Sequence, residues 1–93
     1  MIKSFKDKRT ADLARGVIPR RLAEDVAARA VVKLFQLDTV TRVEDLRVPP
    51  GNELERLKGD RAGQYSIRVN RQWRICFRWR DGHAYDAEFV DYH

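Results

Sequence analysis

The chain has 93 residues, 43% of them apolar, which is enough for one modest core and too little for a second domain. Its 19 Lys and Arg outnumber 14 Asp and Glu, giving a net charge of +5 and an isoelectric point near 9.8. A single cysteine, Cys76, excludes an internal disulfide framework, and no apolar run is long enough to span a bilayer. The opening stretch from Met1 to Arg9 lacks the apolar segment of a secretory leader. The expectation is one domain over residues 1–93, cytoplasmic and away from membranes.

In chain order, Met1 to Phe5 alternates weakly and predicts a short opening strand. Asp7 is suited to cap a helix running to about Arg15, with Gly16 as its C-terminal stop. Pro19 is expected to start a second helix, at a position where its missing N–H costs nothing. Along it Leu22, Val26, Ala30, Leu34 and Leu37 fall on one face, flanked by Ala23, Ala27, Val31 and Phe35. Arg20, Arg21, Glu24, Asp25, Arg29 and Lys33 take most of the opposite side, as in a helix that packs one stripe on a core. Thr41-Arg42-Val43-Glu44 has the pattern of a capping box for one short turn, ended by Val48-Pro49-Pro50-Gly51.

From residue 64 onward the apolar period changes to two. Tyr65, Ile67 and Val69, then Trp73, Ile75, Phe77 and Trp79, then Tyr85, Ala87 and Phe89 alternate with polar or small residues. Three consecutive strands with one apolar face make an antiparallel meander, and the helices should cover that face. A loop at Asn70-Arg71-Gln72 would pair Tyr65 with Phe77 and Ile67 with Ile75. For the next hairpin, a two-residue Asp81-Gly82 turn would oppose Phe77 to Asp86 and Ile75 to Glu88. A three-residue loop, Arg80-Asp81-Gly82, opposes Phe77 to Tyr85 and Ile75 to Ala87, and is the better match.

That register sets Arg68 directly across from Arg74, with Glu88 beyond Arg74 on the following strand. Like charges facing each other are destabilising. Glu88 would relieve them, or two guanidinium forks would hold a phosphate. The surrounding stretch is the chain's basic centre: residues 56–80 carry Arg56, Lys58, Arg61, Arg68, Arg71, Arg74, Arg78 and Arg80 against Asp60 alone. Such a footprint suits nucleic acid.

The last three residues, Asp91-Tyr92-His93, assemble a carboxylate, a phenol and an imidazole. Those are the groups that proton-transfer chemistry on RNA uses, and no cysteine cluster or histidine pair stands by to hold a metal. The last strand carries Tyr92 to the polar sheet face. Cys76 is expected on that same face, and His83, beside a hairpin turn, at the surface.

Leu57-Lys58-Gly59-Asp60-Arg61, Gly63, Ser66-Ile67, Asn70, Trp73-Arg74-Ile75 and the terminal Asp91-Tyr92-His93 resemble the HigB branch of the RelE/ParE toxins. The resemblance covers nearly the whole chain and is most specific over 57–93. It implies an α+β fold of RelE type, with two N-terminal helices on one face of a small, mostly antiparallel β-sheet. It also implies a type II toxin that cuts mRNA in the ribosomal A site without a cofactor and is silenced by a helix-turn-helix, HigA-like antitoxin. By matching position, Lys58, Arg74, Asp91, Tyr92 and His93 take the catalytic roles, with Arg61, Arg68 and Arg78 as further RNA contacts. One departure stands out: relatives often carry a histidine shortly before Leu-Lys-Gly, where this chain has Glu55-Arg56.

The expected reaction is attack of a 2′-hydroxyl on its own adjacent phosphate. His93 would act as acid or base, Asp91 would orient it, and Lys58 and Arg74 would stabilise the phosphoryl oxygens. Tyr92 would stack on a base or hydrogen-bond the phosphate. Two alternatives have different chemistry. A ParE-like inhibitor of DNA gyrase has no evident need for the Asp91-Tyr92-His93 ending. A non-catalytic RNA-binding module would need exposed aromatics, while Trp73 and Phe77 are committed to the core.

Overall fold

The computed structural model describes residues 1–92. Two helices, α1 (Lys8–Ala14) and α2 (Glu24–Thr39), precede four strands: β1 (Glu55–Arg56), β2 (Gln64–Arg68), β3 (Trp73–Arg80) and β4 (His83–Asp91). The strands form an antiparallel sheet in the order β1-β2-β3-β4. The expected α+β layering is therefore present. Ile67, Val69, Ile75, Phe77, Ala84, Ala87 and Phe89 face Leu13, Ala27, Ala30, Leu34 and Leu37 of the helices across a single core.

Asp7 caps α1 as expected, its Oδ1 accepting from the Thr10 amide at 2.8 Å. Gly16, at φ +84°, turns the chain away. The second helix begins later than expected, at Glu24 and not at Pro19. The cause lies between them: Arg21 sits at φ +68°, which no right-handed helix tolerates. Glu24 and Asp25 in the first turn favour the positive end of the helix in place of a side-chain cap. The short turn after α2 spans Val43–Arg47, but its cap residue is Arg42 and makes no side-chain capping bond, so the capping box does not form. Phe35, on the edge of the apolar stripe, is 71% exposed.

The β2–β3 register is the expected one, with Tyr65 opposite Phe77, Ile67 opposite Ile75 and Arg68 opposite Arg74. The β3–β4 register is not. Arg80 pairs with His83 and Arg78 with Tyr85 across a two-residue turn, in which Asp81 and Gly82 have φ of +53° and +80°. A bulge between Cys76 and Arg78 then sets both Asp86 and Ala87 against Phe77. One extra residue in β4 restores the apolar match, and Ile75 faces Phe89. Asp86 occupies the bulge at φ +53°, its amide bonded to Ser4 Oγ at 2.9 Å.

Three further differences follow. Tyr85 turns to the polar face, where Arg80 stacks over its ring at 4.6 Å, and Ala84 takes its place in the core. The opening segment makes only isolated parallel bridges, Ile2 to Ala84 and Phe5 to Ala87, on the free edge of β4. His83 lies beside the hairpin turn as expected but is half-buried, and among the described residues its buried Nδ1 has no hydrogen-bond partner.

Candidate active site

The sheet face away from the helices holds Arg68 and Ser66 from β2 and Arg74, Cys76 and Arg78 from β3. Glu88 and Val90 of β4 complete it. Part of this face is closed. After β1 the chain folds back over it, so that Leu57 packs on Cys76 and Val90, with Tyr92 against the same cluster. The turn Gly59–Arg61 is held down by Arg61, whose Nη1 lies 3.2 Å from Glu88 Oε1 and 3.1 Å from Gln64 Oε1. Cys76 is fully buried beneath it. Burial pushes its thiol above the ordinary value, with Arg61 drawing it the other way.

Arg74 is the fixed point of this face, at 8% exposure. Its Nε donates to Ser66 Oγ at 2.8 Å, and its Nη2 donates to the main-chain oxygens of Glu53 at 2.6 Å and Ser66 at 3.4 Å. The Tyr92 ring lies 5.9 Å from the guanidinium. Among the described residues none forms a hydrogen bond or ion pair with Nη1. Such a side chain is orientated before any ligand arrives and keeps a donor edge in reserve.

The facing arginines are not relieved by Glu88, which stands across from Cys76, while Val90 stands across from Arg74. Glu53 takes that part. Its backbone, at φ +44°, turns its carbonyl onto Arg74, and its carboxylate meets Arg68 Nε at 3.1 Å. Glu55, at the sequence departure noted above, comes within 3.9 Å of Arg74 Nη2.

Of the expected catalytic residues, Arg74 and Tyr92 come together. Lys58 follows Leu57 directly and is exposed, with no ion pair among the described residues. Asp91 pairs with Trp73 on the neighbouring strand and accepts from Gln72 Nε2 at 3.0 Å, so it belongs to the opposite side chain parity from Tyr92. His93 lies outside the described residues. Arg61, Arg68 and Arg78 do not stand as a bare cationic row: Glu88, Glu53 and Asp86 respectively sit within 4 Å of each.

Sequence reasoning missed Ser66, Glu53 and Glu55 as the frame of Arg74. Ser66 offered a signal, since it shares the strand parity of Arg68. Glu53 and Glu55 offered none: a left-handed backbone brings in Glu53, and Glu55 lies on a two-residue strand too short to show alternation.

Two helices on one side of an antiparallel sheet, and a seated arginine on the other, define a small α+β protein of RelE-like architecture. A chain of the YoeB-YefM complex from Staphylococcus aureus shares that fold, with a TM-score of 0.56 at 16% identity, over 100% of this chain and 98% of that one. The chain belongs to the HigB-like toxins: residues 3–93 match that family, described as the RelE-like toxin of type II toxin-antitoxin system HigB. It is 39% identical to Toxin HigB-1 of Vibrio cholerae serotype O1, over 100% of this chain and 98% of the relative. It is 42% identical to Endoribonuclease HigB of Proteus vulgaris, over the full length of both.

Proposed function

We propose that this chain is a ribosome-dependent endoribonuclease that cuts mRNA in the ribosomal A site, with residues 1–93 acting as one toxin domain. Its partners are the ribosome, mRNA and a HigA-like helix-turn-helix antitoxin, in the cytoplasm. Membership of a toxin family and a full-length relative named as an endoribonuclease support this reading. The observation that carries it is Arg74, anchored through Nε and Nη2 with Nη1 uncommitted beside Tyr92. No described helix is long and apolar enough to cross a membrane.

In the reaction the 2′ oxygen forms a bond to the adjacent phosphorus, and the bond from phosphorus to the 5′ oxygen of the next nucleotide breaks. The 2′ proton passes to a base and another proton goes to the departing oxygen. The products are a cyclic phosphate and a 5′-hydroxyl. Arg74 and Lys58 stabilise the added charge on the phosphoryl oxygens; one preorganised donor of this kind is worth roughly 10²–10³ in rate. His93 moves a proton, Asp91 steadies it, and Tyr92 stacks on or hydrogen-bonds the substrate. The ribosome holds the mRNA in its attack geometry, which an open surface of this size does not do alone. Arg61, Arg68 and Arg78 add backbone contacts.

Primer extension on a defined mRNA, with and without programmed ribosomes, tests the reading. Cuts that need ribosomes and vanish in His93→Ala support it. Absence of cuts from the wild type, with loss of gyrase supercoiling in a parallel assay, would replace it with a ParE-like activity.

A further inference from the structure

On the flank of the molecule beside this face, two adjoining hollows of about 450 and 590 Å³ share Arg29 and Arg68 in their walls. One runs along α2 past Lys33, and the other runs across the β2–β3 connection past Asn70, Arg71 and Gln72. Four cations thus surround one continuous groove, and among the described residues no acidic one lines it. Glu53 reaches Arg68 alone. Arg29 and Arg71 are exposed and have no ion pair among the described residues. Among the described residues Lys33 binds only the neutral Asn52, at 2.5 Å, and burial together with nearby Arg29 makes its ammonium easier to deprotonate. Four cations answered by one carboxylate leave a standing positive potential.

The groove also leads somewhere. At its far end Gln72 accepts from the Tyr92 amide through its carbonyl at 2.7 Å and donates to Asp91 through its side chain at 3.0 Å. The wall of the groove and the end of β4 are therefore joined by direct hydrogen bonds. A strand reaching Tyr92 and Arg74 has a cationic path from there past Arg71 to Arg29. The bonds from Gln72 to Tyr92 and Asp91 make this groove an extension of the site at Arg74, so the strand held there is the one that would continue along it.

We propose that the groove between α2 and the β2–β3 connection, with Arg29, Lys33 and Arg71 as its cations, is a second binding site for the phosphodiester backbone of RNA, continuous with the site at Arg74 and Tyr92. It rests on the RNA reading of that site. It extends the contact to residues on α2 that do not touch the reacting phosphate.

The test is fluorescence anisotropy of a labelled single-stranded RNA, titrated with the full-length protein over a range of salt. The proteins compared are wild type, the double variant Arg29→Gln/Arg71→Gln, and the charge-matched control Arg20→Gln/Arg47→Gln. All four side chains are exposed. Each phosphate contact to a single strand contributes about −0.7 to the slope of log K against log salt. The groove variant is expected to flatten the slope by roughly 1.4, and the control to leave it unchanged. Equal slopes in all three proteins would overturn the proposal. So would an unchanged RNA slope in a variant that has lost its affinity for polyglutamate, which would assign the groove to an acidic polypeptide. Cleavage by the wild type on programmed ribosomes is read separately. Its absence, with the slope difference intact, defeats the nuclease reading and leaves the groove standing.

Discussion

Ser66 Oγ accepts a hydrogen bond from Arg74 Nε at 2.8 Å, and both residues are buried. The hydroxyl orientates the guanidinium as well as satisfying it, because Nη2 is then directed onto the Glu53 carbonyl. Ser66→Ala would leave a charged donor buried and unpaired, so a loss of about 1.5–3 kcal/mol in stability is expected by urea unfolding. Displacing the guanidinium should also slow cleavage on programmed ribosomes by roughly 10- to 100-fold. A variant as stable and as active as the wild type would show that Ser66 has no part in seating Arg74.

The β3–β4 turn makes a different prediction, confined to stability. Gly82 sits at φ +80°, and a Cβ there would stand 3.3 Å from the Thr41 carbonyl oxygen. Gly82→Ala is expected to cost about 1–2 kcal/mol, read as a lowered Tm. Asp81→Asn should be neutral or slightly stabilising, because Asn-Gly is the preferred pair for such a turn. If both substitutions behaved alike, backbone conformation would not be what fixes this hairpin.

That turn also shows where the sequence was legible and where it was not. Alternation disclosed all three long strands, and matching Ile67 to Ile75 disclosed the β2–β3 register. The same matching failed at β3–β4, because a two-residue turn looks wrong until the bulge at Asp86 is allowed for. Nothing in the composition of β4 marks that bulge; Ser4, about eighty residues earlier, bonds its amide. The start of α2 was misread because Arg21 has a positive φ, which an arginine in that sequence does not announce. At the candidate site, Arg74 and Tyr92 were legible as residues on one face. The frame around Arg74 was not, since Glu53 serves it through a main-chain oxygen that any residue type would supply.

Burial of Cys76 predicts a pH dependence. Its thiol is held above the ordinary value of 9.0 by burial first, with Arg61 acting in the opposite direction. Below that value the thiol is protonated in both folded and unfolded chains and adds no pH dependence. As pH rises past it, the unfolded chain ionises first and is favoured, so stability is lost until the folded thiol ionises too. Cys76→Ala should therefore show a shallower alkaline decline than the wild type, although it starts lower for lack of the sulfur's packing. Unfolding free energies about one unit below and one unit above the ordinary value check this. Parallel alkaline limbs for the two proteins would mean that Cys76 is not the group responsible.

The geometry of Arg74 finally separates charge from shape. A lysine at this position would keep the positive charge, yet its three donors radiate from one nitrogen and do not reproduce the fork whose Nε meets Ser66 Oγ and whose Nη2 meets the Glu53 carbonyl, leaving a third nitrogen for phosphate. Arg74→Lys is therefore expected to lose cleavage almost as completely as Arg74→Ala, by roughly 10²–10³ in single-turnover rate. Lys58→Arg is expected to be mild, since Lys58 is exposed and has no ion pair among the described residues to disturb. Single-turnover assays on programmed ribosomes, with ribosome binding measured separately, distinguish a lost chemical step from lost docking. Should Arg74→Lys retain most of the rate, Arg74 would be acting as a point charge, and the Ser66–Glu53 frame would serve the fold alone.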